Sequence, residues 1–117
     1  MRSAGSQFED IALAHAQRDG LKLITRNFSC RYGEIDLVMR DQQTIVFVEV
    51  RYRQSQQFGG ALDSVGSSKR SRLIKAASVF LQSRPELAAH PCRFDLLAIA
   101  GNAGEPSIEW HRNAFET

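Results

Sequence analysis

Residues 33–38 (GEIDLV) and 45–51 (IVFVEVR) decide the fold, because they place acids within two otherwise apolar strand patterns. Both stretches are rich in β-branched and aromatic residues, and polar residues 40–44 separate them, which predicts an antiparallel hairpin. A turn centred between Gln42 and Gln43 places Asp36 directly opposite Glu49. Two like charges about 4.5–5.5 Å apart on one face destabilise a sheet unless something compensates them. A divalent cation would provide that compensation.

The period of two along a strand puts Arg51 on the same face as Glu49, together with Ile45 and Phe47. Acids that share a face with large apolar side chains are poorly solvated, which favours a metal site. The hairpin alone leaves a second interpretation open, in which each acid caps a strand end or pairs with an arginine on a solvated face. Oxygen ligands of this kind favour Mg²⁺ or Mn²⁺ over zinc.

Helical and strand patterns flank the hairpin on both sides. The predicted elements are a helix over residues 6–19, a strand over 21–28, the hairpin, a helix over 68–83, and strands over 94–100 and 107–111. This order predicts an α/β fold with a mixed central sheet flanked by helices, in a single domain spanning residues 1–117.

Glu9 of the first helix has a structural interpretation from its local sequence. Ser6 and Glu9 match a capping box, in which the glutamate only closes the start of a helix.

Glu34 shares the face of Asp36 in an ideal strand, but Gly33 beside it favours a twist, so we place Glu34 outside the predicted site. Arg93 and Asp95 are predicted to form a structural ion pair, with Trp110 and Phe115 sealing the sheet.

Positive charge is concentrated directly after the acidic hairpin, although the net charge of the chain is only +2. The basic residues of this region are Arg51, Arg53, Lys69, Arg70, Arg72 and Lys75, against the single acid Asp63. Cations at the start of a helix oppose the helix dipole, so an anion such as a DNA phosphate is expected there. A solvated basic face is the alternative. Tyr52 and Phe58 are predicted either to stack on bases or to fold back over the sheet.

Cysteine and hydropathy patterns narrow the class of protein. Cys30 and Cys92 are isolated and form no C-x-x-C motif, which predicts reduced thiols rather than a zinc site. The sequence has no apolar run of membrane-spanning length and no signal-peptide pattern, which predicts a cytoplasmic protein that does not enter a membrane. No small-molecule cofactor is expected.

The arrangement of Asp36 followed by Glu49-Val50-Arg51 resembles the metal site of the PD-(D/E)xK nuclease superfamily, where a lone acid precedes a strand ending in acid-x-lysine. Motifs along nearly the whole chain are similar to those of the YraN-type family, small bacterial proteins related in fold to archaeal Holliday-junction resolvases. These motifs are Glu9 with Ala12, Arg26-Asn27, residues 33–36, residues 47–51, Phe58-Gly59, Lys69, residues 93–95 and residues 113–115.

The resemblance implies a restriction-endonuclease-like α-β-β-β-α-β core and metal-dependent, structure-directed endonuclease activity on DNA, with branched DNA among the expected substrates. It implies that Asp36, Glu49 and the backbone carbonyl of Val50 hold Mg²⁺ or Mn²⁺, while Glu9 assists from the first helix. The predicted contacts to nucleic acid are Arg51 at the scissile phosphate, and Lys69, Arg72, Arg53 and Tyr52 beside it. Resolvase relatives act on two symmetric cleavage points, so a homodimer is also expected.

Arg51 departs from the superfamily pattern, which more often has lysine. A guanidinium holds its proton far too tightly to act as a general base, although it can clamp a phosphate. Lys69, from the second helix, is a candidate substitute for the missing lysine. The departure leaves two alternatives open: a catalytically inactive nucleic-acid-binding or adaptor module on the same fold, and a protein-interaction domain in which the acids have no role.

Overall fold

The computed structural model describes residues 4–53, 66–101 and 104–115. Its elements are helix α1 (Ala4–Arg18), strands β1 (Lys22–Cys30), β2 (Gly33–Asp41) and β3 (Thr44–Arg53), helix α2 (Ser67–Ser83), a short 3₁₀ helix (Pro85–Leu87), and strands β4 (Cys92–Gly101) and β5 (Pro106–Phe115). The predicted α/β order is therefore confirmed, although the last two strands are longer than the sequence pattern indicated.

The five strands form one mixed sheet in the order β1-β2-β3-β4-β5. Strands β1, β2 and β3 are antiparallel neighbours, β3 and β4 are parallel, and β4 and β5 are antiparallel. A parallel pair needs a long crossover connection, and here the connection contains α2. The predicted mixed sheet with flanking helices is confirmed.

The helices cover opposite faces of the sheet. Phe8, Ala12 and Ala16 of α1 are buried in one apolar cluster, and Leu73 and Phe80 of α2 are buried in the other. Strand β3 contributes to both clusters at alternate positions. Ile45 and Phe47 join the α2 cluster, and Val46 and Val48 join the α1 cluster. A strand buried on both faces explains the continuous apolar run, and the alternation carries Glu49 and Arg51 to the α2 face.

The ends of α1 differ in how well the sequence predicts them. Gly20 has a φ of 96°, and the N–H groups of Gly20 and Leu21 bond to the carbonyls of Gln17 and Ala16, which is the hydrogen-bond pattern of a Schellman motif. The predicted stop at Gly20 is confirmed. The predicted capping box is wrong, because α1 begins at Ala4 and Ser6 lies inside the helix.

Within the described ranges, neither helix is long and apolar enough to cross a membrane.

Asp95 organises the junction of β4 and β5. The pairing register shifts between Phe94 and Leu96, which leaves a bulge beside Asp95. Its fully buried carboxylate accepts hydrogen bonds from Arg93 Nε (3.1 Å), Trp110 Nε1 (2.9 Å) and the Asn113 N–H (2.9 Å). The predicted ion pair of Arg93 and Asp95 is confirmed, and these donors give Asp95 a structural role.

Candidate functional site

Three carboxylates converge where α1 passes β2. Glu9 of α1 and Glu34 and Asp36 of β2 each place one carboxylate oxygen within 4.8 Å of the others. Glu9 and Asp36 are partly buried, and Glu34 is exposed. We call these three residues the acid cluster. Because Glu9 is not used in a capping box, its carboxylate is available to this cluster.

Asp36 lies where β2 and β3 part. The predicted hairpin register holds from Asp41 opposite Thr44 to Leu37 opposite Val48. Pairing ends there, one step before Asp36 and Glu49, while β3 continues beside β4 to its end at Arg53. The sequence predicts which acids meet, but the ladder does not extend to them, and Asp36 uses its side chain to replace the missing backbone contact.

Strand β1, which pairs with the other edge of β2, has an unusual backbone conformation opposite Asp36. Strand β1 pairs Arg26 with Leu37 and Phe28 with Ile35, and Asn27 between them has a φ of 56°. A left-handed backbone at a non-glycine residue is uncommon, although asparagine adopts it more readily than most residues. The Arg26-Asn27 motif therefore shapes the strand beside Asp36.

The carboxylate of Asp36 carries an unfavourable charge. Its Oδ2 accepts a hydrogen bond from the Val50 N–H at 2.8 Å. Burial, followed by repulsion from Glu49 and more weakly from Glu9 and Glu34, raises the pKa of Asp36 to about 7, and the hydrogen bond from Val50 opposes this rise. The site thus concentrates more negative charge around Asp36 than its nearby donors offset.

Glu49 lies beside the acid cluster but is not one of its three members. It is only 6% exposed, and its Oε1 is 3.1 Å from Lys69 Nζ and 3.5 Å from Arg51 Nε. The structure brings together both basic residues predicted near this acid, one from β3 and one from α2. Glu49 is therefore neutralised by the protein's own cations, whereas Asp36 is not.

Two polar atoms of the site are buried without a hydrogen bond in the part of the chain described here, Glu9 Oε1 and Arg51 Nε. The nearest cation to Glu9 is Arg26, at 3.7 Å, and Arg26 instead bonds Asp10 at 2.8 Å. Buried polar groups are nearly always paired in folded proteins. These two atoms are positioned to gain from a ligand that offers a cation to Glu9 and an acceptor to Arg51.

Tyr52 does not lie with the site. Its ring stacks on Phe8 of α1 at a centroid distance of 3.6 Å, and its hydroxyl donates to the Gly101 carbonyl at 2.8 Å. The period of two turns it to the α1 face, opposite to Glu49 and Arg51. The structure therefore shows the alternative of an aromatic folded over the sheet, and the contact of Tyr52 with nucleic acid stays a prediction.

The structure describes only part of what was predicted for Arg53, Phe58 and the Val50 carbonyl. Arg53 ends β3, but its side chain lies outside the described residues, as does Phe58. In an extended strand the N–H and carbonyl of a residue face the same neighbour, so the predicted metal ligand, the Val50 carbonyl, is directed to the β2 side where Asp36 lies.

A pocket adjoins the acid cluster on the α2 side. It is lined by Tyr32, Gly33, Glu34, Lys69, Arg72 and Leu73. The predicted basic residues Lys69 and Arg72 therefore line the same pocket as Glu34. Glu34 and Tyr32 were missed by sequence reasoning. The period of two puts Glu34 on the face of Asp36, but the twist expected at Gly33 leaves it out of the predicted site, whereas only the packing of the β1–β2 turn against α2 reveals Tyr32.

Comparison with known proteins places the chain in a family. A family model described as "Uncharacterised protein family UPF0102" matches residues 8–99. A UPF0102 protein of Stutzerimonas stutzeri is 52% identical over 116 residues, covering 99% of this chain and 97% of the relative. Similar relatives occur in Pseudomonas fluorescens (51% identical, 97% and 94% covered) and Pseudomonas aeruginosa (46% identical, 98% and 94% covered). The chain therefore belongs to the UPF0102 family, which confirms the predicted YraN-type membership.

Proposed function

We propose that the protein is a Mg²⁺- or Mn²⁺-dependent, resolvase-like endonuclease that hydrolyses phosphodiester bonds in structured DNA. The observation that carries the proposal is the acid cluster of Glu9, Glu34 and Asp36 within 4.8 Å, beside Glu49 with its two cations. Acids that hold a metal next to basic side chains match what phosphodiester hydrolysis needs, since negative charge grows on the phosphate during the reaction.

The chemistry of the donors fits a small divalent cation. All three residues of the acid cluster offer carboxylate oxygens, which suit Mg²⁺ or Mn²⁺. The buried Glu9 Oε1 has no hydrogen bond, and the charge of Asp36 is poorly offset, so both residues would gain from a cation. When bound, the metal would lower the pKa of a water molecule and stabilise negative charge on the phosphate.

The protein's cations have separate roles in this proposal. The buried Nε of Arg51 has no hydrogen bond, so in this proposal it would donate to a phosphate oxygen at the scissile bond. Lys69 brings an ammonium to Glu49 from α2 and supplies the lysine that the strand motif lacks. A Lys69 that exchanges Glu49 for the phosphate would hold the substrate against the acid cluster.

A second candidate function is a nucleic-acid-binding module without hydrolysis. The pairing of Glu49 with both Lys69 and Arg51 favours it, because that acid is already neutralised without a metal. Such a protein would keep its affinity for DNA in the presence of a chelator and would cut nothing.

The test is a cleavage assay on fluorescent four-way junctions, flaps and linear duplexes with Mg²⁺, Mn²⁺ or EDTA. We expect metal-dependent cutting of a branched substrate by the wild-type protein and its loss in Asp36→Asn. The matched control is Glu109→Gln, which changes an acid of β5 whose side chain is 62% exposed and should leave cutting unchanged. Binding without cutting under all metal conditions would contradict the proposal and support the second candidate.

A resolvase-like activity also carries a prediction about assembly. A four-way junction offers two symmetric cleavage points, so a homodimer would cut both in one encounter. Sedimentation of the protein with and without a junction would detect that dimer, and a stoichiometry of one chain per junction would contradict it.

A further inference from the structure

We propose that the β1–β2 turn and α2 form a phosphate clamp, in which Tyr32 holds Arg31 and Lys75 beside the pocket that contains Lys69 and Arg72. The occupant would be the sugar-phosphate backbone of the nucleic-acid strand that leads away from the acid cluster. The proposal rests on the proposed function for the choice of a nucleic acid as the partner, and it adds a binding surface outside the residues predicted for the reaction.

The first observation is that the pocket is continuous with the acid cluster. Glu34 belongs to both, and Lys69 joins the pocket to Glu49. A strand held with its scissile phosphate at the acids would therefore extend directly between the turn and α2.

The second observation is that Tyr32 orders two further cations. The guanidinium carbon of Arg31 lies 4.7 Å from the ring centroid of Tyr32, and Arg31 Nη2 lies 2.5 Å from its hydroxyl oxygen. Lys75 Nζ lies 5.6 Å from the same ring. Cation–π contacts restrict long side chains that would otherwise move freely in solvent. Two cations are thus held in place on a partly buried ring beside the pocket.

The third observation is the charge pattern of α2. Lys69, Arg72 and Lys75 recur every three residues, so they are near neighbours along one side of the helix, where like charges repel. The first turn of α2 has no acid, and its N-cap is Gly66 without a side-chain cap, so the helix itself does not offset this charge, and Glu49 pairs with Lys69 but not with Arg72 or Lys75. Arg70 does not share this side, since its guanidinium lies over Phe115.

These observations favour a polyanion over a solvated basic face. Three cations that repel one another along a helix cost stability, and an ordered fourth cation from a separate turn raises that cost. An extended row of phosphates would offset all four charges together and release the counterions that the groove otherwise holds. A strand that begins at the acids is the occupant whose charge and shape match both the row of cations and its position.

The experiment measures equilibrium binding of a labelled four-way junction and a linear duplex in EDTA, so that no strand is cut. Salt is varied between about 50 and 200 mM, because the slope of log affinity against log salt counts phosphate contacts. The variants are Arg72→Gln, Tyr32→Leu and Tyr32→Phe. The control is Lys22→Gln, in a second pocket lined by Gly20, Lys22, Arg40 and Gln42, which has two cations but adjoins no acid cluster.

We expect Arg72→Gln to weaken binding about three- to tenfold and to reduce the salt slope by about one. Tyr32→Leu should lose at least as much, because it frees both Arg31 and Lys75. Tyr32→Phe should lose less, because it keeps the ring and removes only the hydroxyl. The Lys22→Gln protein should bind like the wild type.

The clamp is overturned if the Arg72 and Tyr32 variants bind with the wild-type affinity and slope, or if Lys22→Gln loses as much as they do. It is also overturned if the wild-type protein binds neither DNA. Cleavage is judged separately. Cutting that persists with unchanged binding in the variants would retain the nuclease and remove the clamp, whereas affected binding without any cutting would retain the clamp and remove the nuclease.

Discussion

At the scale of single residues, Asp36 and Glu49 lie close together but differ in how their charges are compensated. Asp36 receives one backbone N–H and faces other acids, while Glu49 receives two cations. The two acids would share a reaction, but removing the charge from each should change the stability of the metal-free protein in opposite directions.

Asp36 should make the metal-free protein less stable as pH rises. Its pKa is about 7 in the folded protein, against 3.8 as the ordinary value, so the folded state binds the proton more tightly than the unfolded state. The free energy of unfolding should therefore fall from about pH 4 to about pH 7. Asp36→Asn should flatten this fall and be at least as stable as the wild type at pH 8. Urea unfolding at pH 5 and pH 8 checks this, and a less stable variant at pH 8 would contradict it.

Glu49→Gln should behave in the opposite way. It leaves Lys69 and Arg51 without their shared carboxylate, and the partly exposed Lys69 recovers some solvation, so we expect a loss of about 1–3 kcal/mol. Urea unfolding in EDTA measures the loss. A double-mutant cycle with Lys69→Met isolates the contact, and additive effects of the two substitutions would show that the pair does not couple.

At the scale of elements, the bulge between β4 and β5 depends on a buried acid that serves structure alone. Asp95→Asn keeps the shape of the side chain but removes the charge that Arg93, Trp110 and the Asn113 N–H satisfy. We expect a loss of about 1–3 kcal/mol in the free energy of unfolding, because three donors lose a charged acceptor at a fully buried site while Arg93 keeps its ion pair with Asp41 at 3.0 Å. Thermal unfolding checks this, with Glu109→Gln as the control. A loss below 1 kcal/mol would show that the bulge does not depend on this charge.

The elements also show what the sequence can predict. The hairpin register follows from the turn residues and the alternation of apolar side chains, so Asp36 and Glu49 are placed correctly to within one ladder step. The roles of Glu34 and Tyr32 do not follow from the sequence as directly as the positions of Asp36 and Glu49 do. The strand period puts Glu34 on the face of Asp36, but its approach to Glu9 and the position of Tyr32 depend on how α1 and α2 pack across β2, which local patterns do not reveal.

The beginning of α1 shows the same limit. The Ser6-to-Glu9 pattern is a correct signal for a helix start, but the helix continues two residues further toward the amino terminus. The helix extends through Ala4 and Gly5 although glycine is a poor helix former, so the sequence alone does not decide the first residue of this helix. The resulting freedom of Glu9 is what allows it to join the acid cluster.

At the scale of the whole molecule, the site exists because one sheet brings both helices to the point where β2 and β3 part. Helix α1 supplies Glu9 on one side, and the crossover through α2 supplies Lys69 on the other. Neither residue is near Asp36 in sequence. The fold thus assembles an acid cluster and its basic surround from four separate elements, which is the arrangement expected of a functional site rather than of a solvated surface.

The most direct test of this account is a calorimetric titration of the protein with Mn²⁺ at about pH 8, where Asp36 is ionised. We expect saturable binding by the wild-type protein, its loss or strong weakening in Asp36→Asn and Glu9→Gln, and unchanged binding in Glu109→Gln. Absence of binding by the wild-type protein, or equal binding by all four proteins, would contradict the assignment of the acid cluster as a metal centre.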